Sequence, residues 1–311
     1  MRILSYQRMS TEDGPGLRTT LFVKGCPLRC AWCHNPESIS RELSAEWIGV
    51  RCMGCHTCVD TCANGGIVAE QESVRIDNDK CIRCFSCVSA CPTGALERKG
   101  EDASISEIFA ELIKDHAYFG ADGGVTLSGG EILLQSEEAA ELLRLLKESG
   151  VSTAVDTSGY CNRADIDRVL PYTDIFLFDL KLADSARHEE WTGVKNGRIL
   201  ENFEYLTELR REASSKFGLW VRTPIIPGAT DDEENIRSIA DIIGDKADRW
   251  ELCAFNNLCR DKYERIYKDW NFKSSELMTR ERMEALVAAA SAAGAKNVRY
   301  TGRTRMEEER A

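Results

Sequence analysis

Apolar and polar positions in this chain keep two periods, a helical one and short runs with a strand's character. Residues 104–116 place Ile105, Ile108, Phe109 and Leu112 on one helical face. Ser104 with Glu107 three positions on forms a capping box at its start. The run 17–23 reads as a strand, and GVTLSGG reads as a strand ending in a glycine turn. Residues 137–148 are helical and Gly150 stops them. VSTAVDTSG is strand and turn, 164–170 a short helix, and IFLFDLK a buried strand with a polar end. Residues 202–212 are helical, LWVRTPIIPG is a strand, 232–243 a helix, RWELCAF a strand and 280–293 a last helix. The tail RTRMEEERA reads as a solvated, mobile end. This alternation predicts an α/β fold of parallel strands with helical crossovers, about six β/α units. Polar residues gather at the C-terminal ends of the strands: Ser128 to Glu131, Asp156 to Ser158, Asp179 and Lys181, Arg222, and Asn256 with Asn257. In βα barrels that rim carries the chemistry.

Composition narrows the classes. The 311 residues are 43% hydrophobic, enough for a substantial core. The net charge of −11 argues against nucleic acid and anionic lipid as partners. No run reaches the roughly 18 apolar residues of a membrane span, and the N-terminus shows no signal-peptide pattern. Fourteen cysteines in a long chain without export signals read as reduced, metal-binding thiols in the cytoplasm.

Eleven of those cysteines fall at ligand spacings. Cys26, Cys30 and Cys33 make a C-x3-C-x2-C loop. Three thiolates on one short loop can hold three irons of a 4Fe–4S cube and leave the fourth free for a small molecule, as a catalytic zinc keeps one position open. The competing reading is zinc, with His34 as fourth ligand. The strand leading into the loop, the bends at Gly25 and Pro27, and Trp32, whose ring can lie against an adenine, favour the cluster. Cys52, Cys55, Cys58 and Cys62 follow C-x2-C-x2-C-x3-C; Cys81, Cys84, Cys87 and Cys91 repeat it, with Pro92 next. The doubled run resembles the bacterial two-cluster ferredoxin signature, in which each fourth cysteine crosses to the other cluster. That resemblance assigns Cys52, Cys55, Cys58 and Cys91 to one cube, and Cys62, Cys81, Cys84 and Cys87 to the other. Ala63 stands where the signature has proline. His56 reads as a surface residue, and Cys161, Cys253 and Cys259 as ordinary thiols. The duplicated stretch defines an insert, 49–98, between 1–48 and 99–311.

DGPGLRT (13–19), GCPLRCAWCHNPE (25–37), SGGE (128–131), DTSG (156–159), DLK (179–181) and VRTPIIPG (221–228) together resemble the glycyl radical enzyme activating enzymes of the radical-SAM superfamily. The match runs from about residue 10 to 260. It implies a partial (β/α)6 radical-SAM barrel with an inserted two-cluster ferredoxin-like domain. It implies three 4Fe–4S clusters, S-adenosylmethionine (SAM) and a monovalent cation. Cys26, Cys30 and Cys33 would hold the SAM-cleaving cluster. Trp32, Cys33, His34, Leu180, Lys181 and Leu182 would line the SAM pocket, and Gly129, Gly130 and Glu131 would meet the methionine amino group. Asp156, Thr157 and Asp179 match the cation positions. Asp179 and Lys181 border the place where the target peptide meets SAM, and Asp13 the side from which that peptide enters. For Arg222 a plain salt bridge is an equal reading. One departure is LCAFNNLCRDKY, where the family commonly has a SAM-contacting histidine; Asn256 is the candidate occupant. Ile132 also stands where proline is frequent.

The activity so implied is reductive cleavage of SAM and removal of a glycine Cα hydrogen by the 5′-deoxyadenosyl radical. The partners implied are a glycyl radical enzyme and a low-potential donor such as flavodoxin or ferredoxin, with the chain itself a monomer. A radical-SAM maturase or small-molecule enzyme with auxiliary clusters is one rival. A ferredoxin-type electron carrier is the other; it explains the eight insert cysteines but not SGGE or DLK.

Overall fold

The computed structural model describes residues 1–212, 216–266 and 268–306. β1 (Arg2–Ser10) and β2 (Arg18–Val23) open the chain as an antiparallel pair. β2 is buried on both faces, as a central strand must be. The insert region follows: β3 (Ser44–Trp47), α1 (Thr57–Thr61), β4 (Ile67–Glu70), β5 (Ser73–Ile76), α2 (Ser86–Ala90) and β6 (Leu96–Lys99). β3 pairs antiparallel with β6, Trp47 opposite Leu96, and β4 with β5. Ile67, Val74, Ile76 and Leu96 form a small core of their own with Cys58 and Cys87. α1 and α2 each begin after a left-handed residue, His56 (φ 55°) and Phe85 (φ 61°), so the two cysteine runs fold alike.

β7 (Glu101–Asp102) returns the chain to the edge of β1. Then come α3 (Ile105–Leu112), β8 (Gly124–Gly129), α4 (Ser136–Glu148), β9 (Ser152–Thr157), α5 (Arg163–Val169), β10 (Ile175–Asp179), α6 (Ser185–Thr192) and α7 (Gly197–Arg211). β11 (Gly218–Ile225), α8 (Glu233–Ile243), β12 (Arg249–Ala254), α9 (Arg260–Arg265), α10 (Arg280–Ala292) and β13 (Val298–Thr301) complete it. The strand order is β13-β12-β11-β10-β9-β8-β2-β1-β7. Every neighbouring pair from β2 to β13 is parallel. The alternation read from the sequence thus gives an α/β fold around a mostly parallel sheet, open at β13 and β7 and not a closed barrel.

The capping box forms: Ser104 Oγ accepts from Glu107 N at 3.3 Å and Glu107 Oε2 from Ser104 N at 2.9 Å. The helix is shorter than its apolar period suggested, because residues 113–118 tighten into a 3-10 turn that brings Asp115 onto Thr19 Oγ1 at 2.8 Å. The expected mobile tail is anchored at its start, where Arg305 N donates to Met278 O and Arg280 N to Arg305 O; residues 307–311 lie outside the described residues. Among the described residues no helix is long and apolar enough to cross a membrane.

Candidate active site

Just past β2 the chain turns at Gly25 (φ 104°), and Cys26 N donates to Ile39 O at 3.0 Å, closing a loop that carries Cys26, Cys30 and Cys33. The end of α6 holds one side of this loop, with Arg29 N on Thr192 O (2.7 Å) and Ala31 N on Trp191 O (2.9 Å). A segment far along the chain holds the other. Tyr263 Oη donates to Cys33 O at 2.9 Å and Trp270 Nε1 to Ala31 O at 2.8 Å. Lys262 Nζ reaches Asn35 Oδ1 at 2.6 Å and Glu37 Oε1 at 2.8 Å. Tyr263 and Trp270 stack at 4.8 Å between centroids, 8° apart. The sequence pattern gave no sign of α6 or of this strap.

The three cysteines open onto one cavity of about 330 Å³ at the C-terminal ends of the strands. Burial pushes all three thiols up, Cys33 to about 12. Such thiols ionise when a metal displaces their protons, which suits a ligand set filled by iron. Among the described residues no three His, Cys, Asp or Glu side chains gather closely enough to hold one ion. The cysteines frame a space rather than a point.

Most of the residues read as SAM or cation contacts share this cavity: Trp32, His34, Gly129, Gly130, Asp156, Thr157, Asp179 and Lys181 line it, as do Asp13 and Arg222. Gly129 and Gly130 are required first by the backbone. A Cβ on Gly129, whose φ is 118°, would lie 2.1 Å from Val23 N, and one on Gly130 2.2 Å from Gly25 O. The two glycines let β8 close against the entrance of the cysteine loop.

Four expected residues sit elsewhere. Glu131 is fully buried between β8 and β9. Its Oε1 accepts from Thr157 Oγ1 (2.6 Å) and Leu133 N (3.2 Å), and its Oε2 from Ser158 N (2.9 Å) and Ser158 Oγ (2.5 Å). These bonds use up the carboxylate that SGGE seemed to offer a ligand. Leu180 and Leu182 are buried in the core. Asn256 Oδ1 accepts from Leu258 N at 3.2 Å, while Phe255 beside it lines the cavity, 6.4 Å from the His34 ring.

Asp13 is held rigidly. Its Oδ2 accepts from Ser10 Oγ (2.6 Å) and Thr20 Oγ1 (2.7 Å), and its carbonyl from Thr126 Oγ1 (2.6 Å). Arg18, fully buried, donates Nε to Thr126 Oγ1 and Nη2 to Val125 O, both at 2.7 Å. Arg18 was already inside DGPGLRT, but nothing in a sequence shows which hydroxyls it will meet.

Lys181 Nζ pairs with Asp179 Oδ2. Burial opposes its charge, but Asp179, Cys30 and Asp156 outweigh that and raise its pKa. Arg222 Nη1 lies 3.5 Å from Asp156 Oδ1 and 3.8 Å from Asp13 Oδ1. Asp156 is pushed up to about 6 by burial, against the pull of Arg222. Three carboxyl groups, of Asp13, Asp156 and Asp179, thus face the two basic side chains of Arg222 and Lys181 across the cavity.

Two smaller cavities, about 20 Å³ each, lie in the insert region. One is lined by Cys52, Cys55, Cys58 and Cys91, the other by Cys62, Cys81, Cys84 and Cys87. Gly66 N donates to Cys62 Sγ and Ala95 N to Cys91 Sγ, each at 3.2 Å. The hydroxyls of Thr57 and Ser86 lower the pKa of the exposed Cys55 and Cys84.

Residues 20–239 match the model of the radical SAM superfamily. The chain is 35% identical over 289 residues to the trans-4-hydroxy-L-proline dehydratase activating enzyme of Clostridioides difficile, covering 91% of this chain and 94% of that one. It is 38% identical over 270 residues to the (2S)-3-sulfopropanediol sulfolyase activating enzyme of Bilophila wadsworthia, covering 84% and 87%. A radical SAM methyltransferase structure from Sphaerobacter thermophilus shares the fold, with a TM-score of 0.51, 15% identity and coverage of 91% of this chain and 66% of that one. The chain belongs to the radical SAM superfamily and, with these curated relatives, to its glycyl radical enzyme activating enzymes.

Proposed function

We propose that this chain activates a partner glycyl radical enzyme by presenting one glycine of that enzyme to SAM in the cavity described above. One observation carries the reading: Cys26, Cys30, Cys33, Asp13, Lys181 and Asp179, distant in sequence, line the same cavity. A cluster held by Cys26, Cys30 and Cys33 would supply the electron for reductive cleavage of bound SAM, the chemistry that serves removal of a glycine Cα hydrogen.

Each residue's part follows from its surroundings. Cys26, Cys30 and Cys33 would hold the SAM-cleaving cluster. The backbone at Gly129 and Gly130 receives the methionine end, since Glu131 is already engaged. Asp156, Thr157 and Asp179 hold a monovalent cation. Thr157 suits this because its proton goes to Glu131 and it accepts from Gly159 N at 2.9 Å, leaving a lone pair as its remaining capacity. Lys181 and Asp179 fix one wall of the cavity. Asp13, pinned by Ser10 and Thr20 and facing Arg222, lies at the peptide's entry.

The two four-cysteine cavities hold the two further 4Fe–4S clusters, in the crossed sets Cys52, Cys55, Cys58, Cys91 and Cys62, Cys81, Cys84, Cys87. Their support is the lining of the cavities and the matched N–H and hydroxyl contacts to sulfur in both. A flavodoxin or ferredoxin supplies the electron, and the chain acts as a cytoplasmic monomer. The test is Cys30→Ala in anaerobically reconstituted, reduced protein. We expect SAM cleavage to disappear while the insert iron stays; undiminished 5′-deoxyadenosine would overturn the assignment.

A further inference from the structure

The two insert cavities are built alike from cysteine but lined differently from the flanking strand. β3 runs beneath both. Ala45 lines the cavity of Cys62, Cys81, Cys84 and Cys87, and Trp47, two residues on, lines the cavity of Cys52, Cys55, Cys58 and Cys91. Trp47 Nε1 is buried and has no hydrogen-bond partner. An indole N–H can only donate, and leaving it unpaired in the interior carries a penalty. Gly49 belongs to the same arrangement, since a Cβ there would come within 3.1 Å of the indole ring. The residue just after the second cysteine also differs. His56 lines the Trp47 cavity, with Nε2 3.2 Å from Ser73 O. Phe85 lines the other, with Arg98 stacked 4.9 Å over its outer face.

We propose that Trp47 tunes the cluster held by Cys52, Cys55, Cys58 and Cys91, by donating its Nε1–H to a sulfur there, and so sets it at a higher reduction potential than its twin. This rests on the two-cluster reading of the insert. Sulfur is the acceptor that the occupant of this cavity brings, and hydrogen bonds to cluster sulfur favour the reduced, more negative state. At the matching position on β3 the other cavity has Ala45 and no indole; its side-chain N–H groups, on Asn64 and Arg83, come from the cysteine runs instead. The insert is therefore a two-step device, in which an added electron rests on the Trp47 side.

The test uses the full chain, reconstituted anaerobically, with iron counted and the clusters titrated by electron paramagnetic resonance. Cys84→Ser marks the signal of the second cluster. In the wild type the two insert clusters titrate apart. In Trp47→Phe the upper one moves down, its reduced fraction at a fixed ambient potential falling about three- to tenfold, as the loss of one charge-assisted hydrogen bond predicts. The other clusters stay where they were. If Trp47→Phe fails to hold iron, wild-type protein labelled with 15N-indole decides, because a 15N coupling to the upper cluster is expected and its absence overturns the proposal. Iron near twelve with an unmoved Trp47→Phe titration overturns the proposal alone. Iron near four overturns the two-cluster reading and the proposal with it.

Discussion

Glu131→Gln is the most informative single change, because it replaces one oxygen of a buried carboxylate that is surrounded by donors. Four bonds reach that carboxylate, from Thr157 Oγ1, Leu133 N, Ser158 N and Ser158 Oγ, and all four are donated to it. The pocket is thus made for the ionised form, although burial raises the Glu131 pKa. In the glutamine the new NH2 must take the place of one oxygen. At the Oε2 position it faces Ser158 N–H; at the Oε1 position it faces Leu133 N–H. Either way one buried backbone N–H is set against another donor, at a cost of about 1–3 kcal/mol. For a chain of this size that lowers Tm by roughly 1.5–5 °C. With the NH2 at the Oε1 position Thr157 must accept rather than donate, and its proton turns toward the cavity where the proposed cation would sit. SAM affinity measured in sodium or potassium should then weaken about tenfold or more, equivalent to ~1.4 kcal/mol. Thermal unfolding and SAM titration of the same preparation read both effects. A Tm within about 1 °C of wild type, with unchanged SAM affinity, would refute the reasoning.

Other changes separate the site from its scaffold. Asp174 sits at the opposite end of the sheet and accepts from Thr153 N (3.0 Å) and Lys147 Nζ, and these contacts outweigh burial to hold its pKa below the usual range. Its stabilising contribution is therefore present above about pH 4 and lost as pH falls through the depressed value. Asp174→Asn should lower Tm at pH 7 by a few degrees, lose that deficit in acid, and leave SAM affinity unchanged. Asp156 has the opposite sign. Its pKa of about 6 means that the folded chain binds the proton more tightly than the unfolded one, so its ionisation costs stability as pH rises from about 4 through 6. Asp156→Asn should raise the Tm of cluster-free, cation-free protein at pH 7.5, the gain shrinking toward pH 4, while weakening SAM binding in the loaded enzyme. Tyr263→Phe keeps the stack on Trp270 but removes the bond to Cys33 O. It should speed loss of the SAM-site iron to a chelator several-fold without a comparable change at the insert clusters.

The parallel alternation was legible because strands buried on both faces, such as IFLFD, read as continuous apolar runs between amphipathic helices. The cysteine loops were legible because ligand spacing is local. What escaped was set by contacts over long separations. Tyr263 and Trp270 bond carbonyls more than 225 residues away, and no periodicity announces such a partner. β1, one place in from the short edge strand β7, alternates too irregularly in burial to declare itself a strand. The surroundings of Glu131 escaped for a related reason. A carboxylate after two glycines reads as a ligand contact until the neighbouring strand shows Thr157 and Ser158 already pointing at it. Asn256 shows the same limit, since its alignment with a family histidine says nothing about where the loop turns its amide.

The most direct test of the account follows one hydrogen. Anaerobically reconstituted and reduced protein, its bound iron counted, is given SAM and a peptide copying a glycyl loop with deuterium at its glycine Cα, and the 5′-deoxyadenosine formed is weighed. The account predicts that the peptide raises turnover and that the product carries one deuterium. Product formed without deuterium, or no product at all from fully loaded protein, would contradict it.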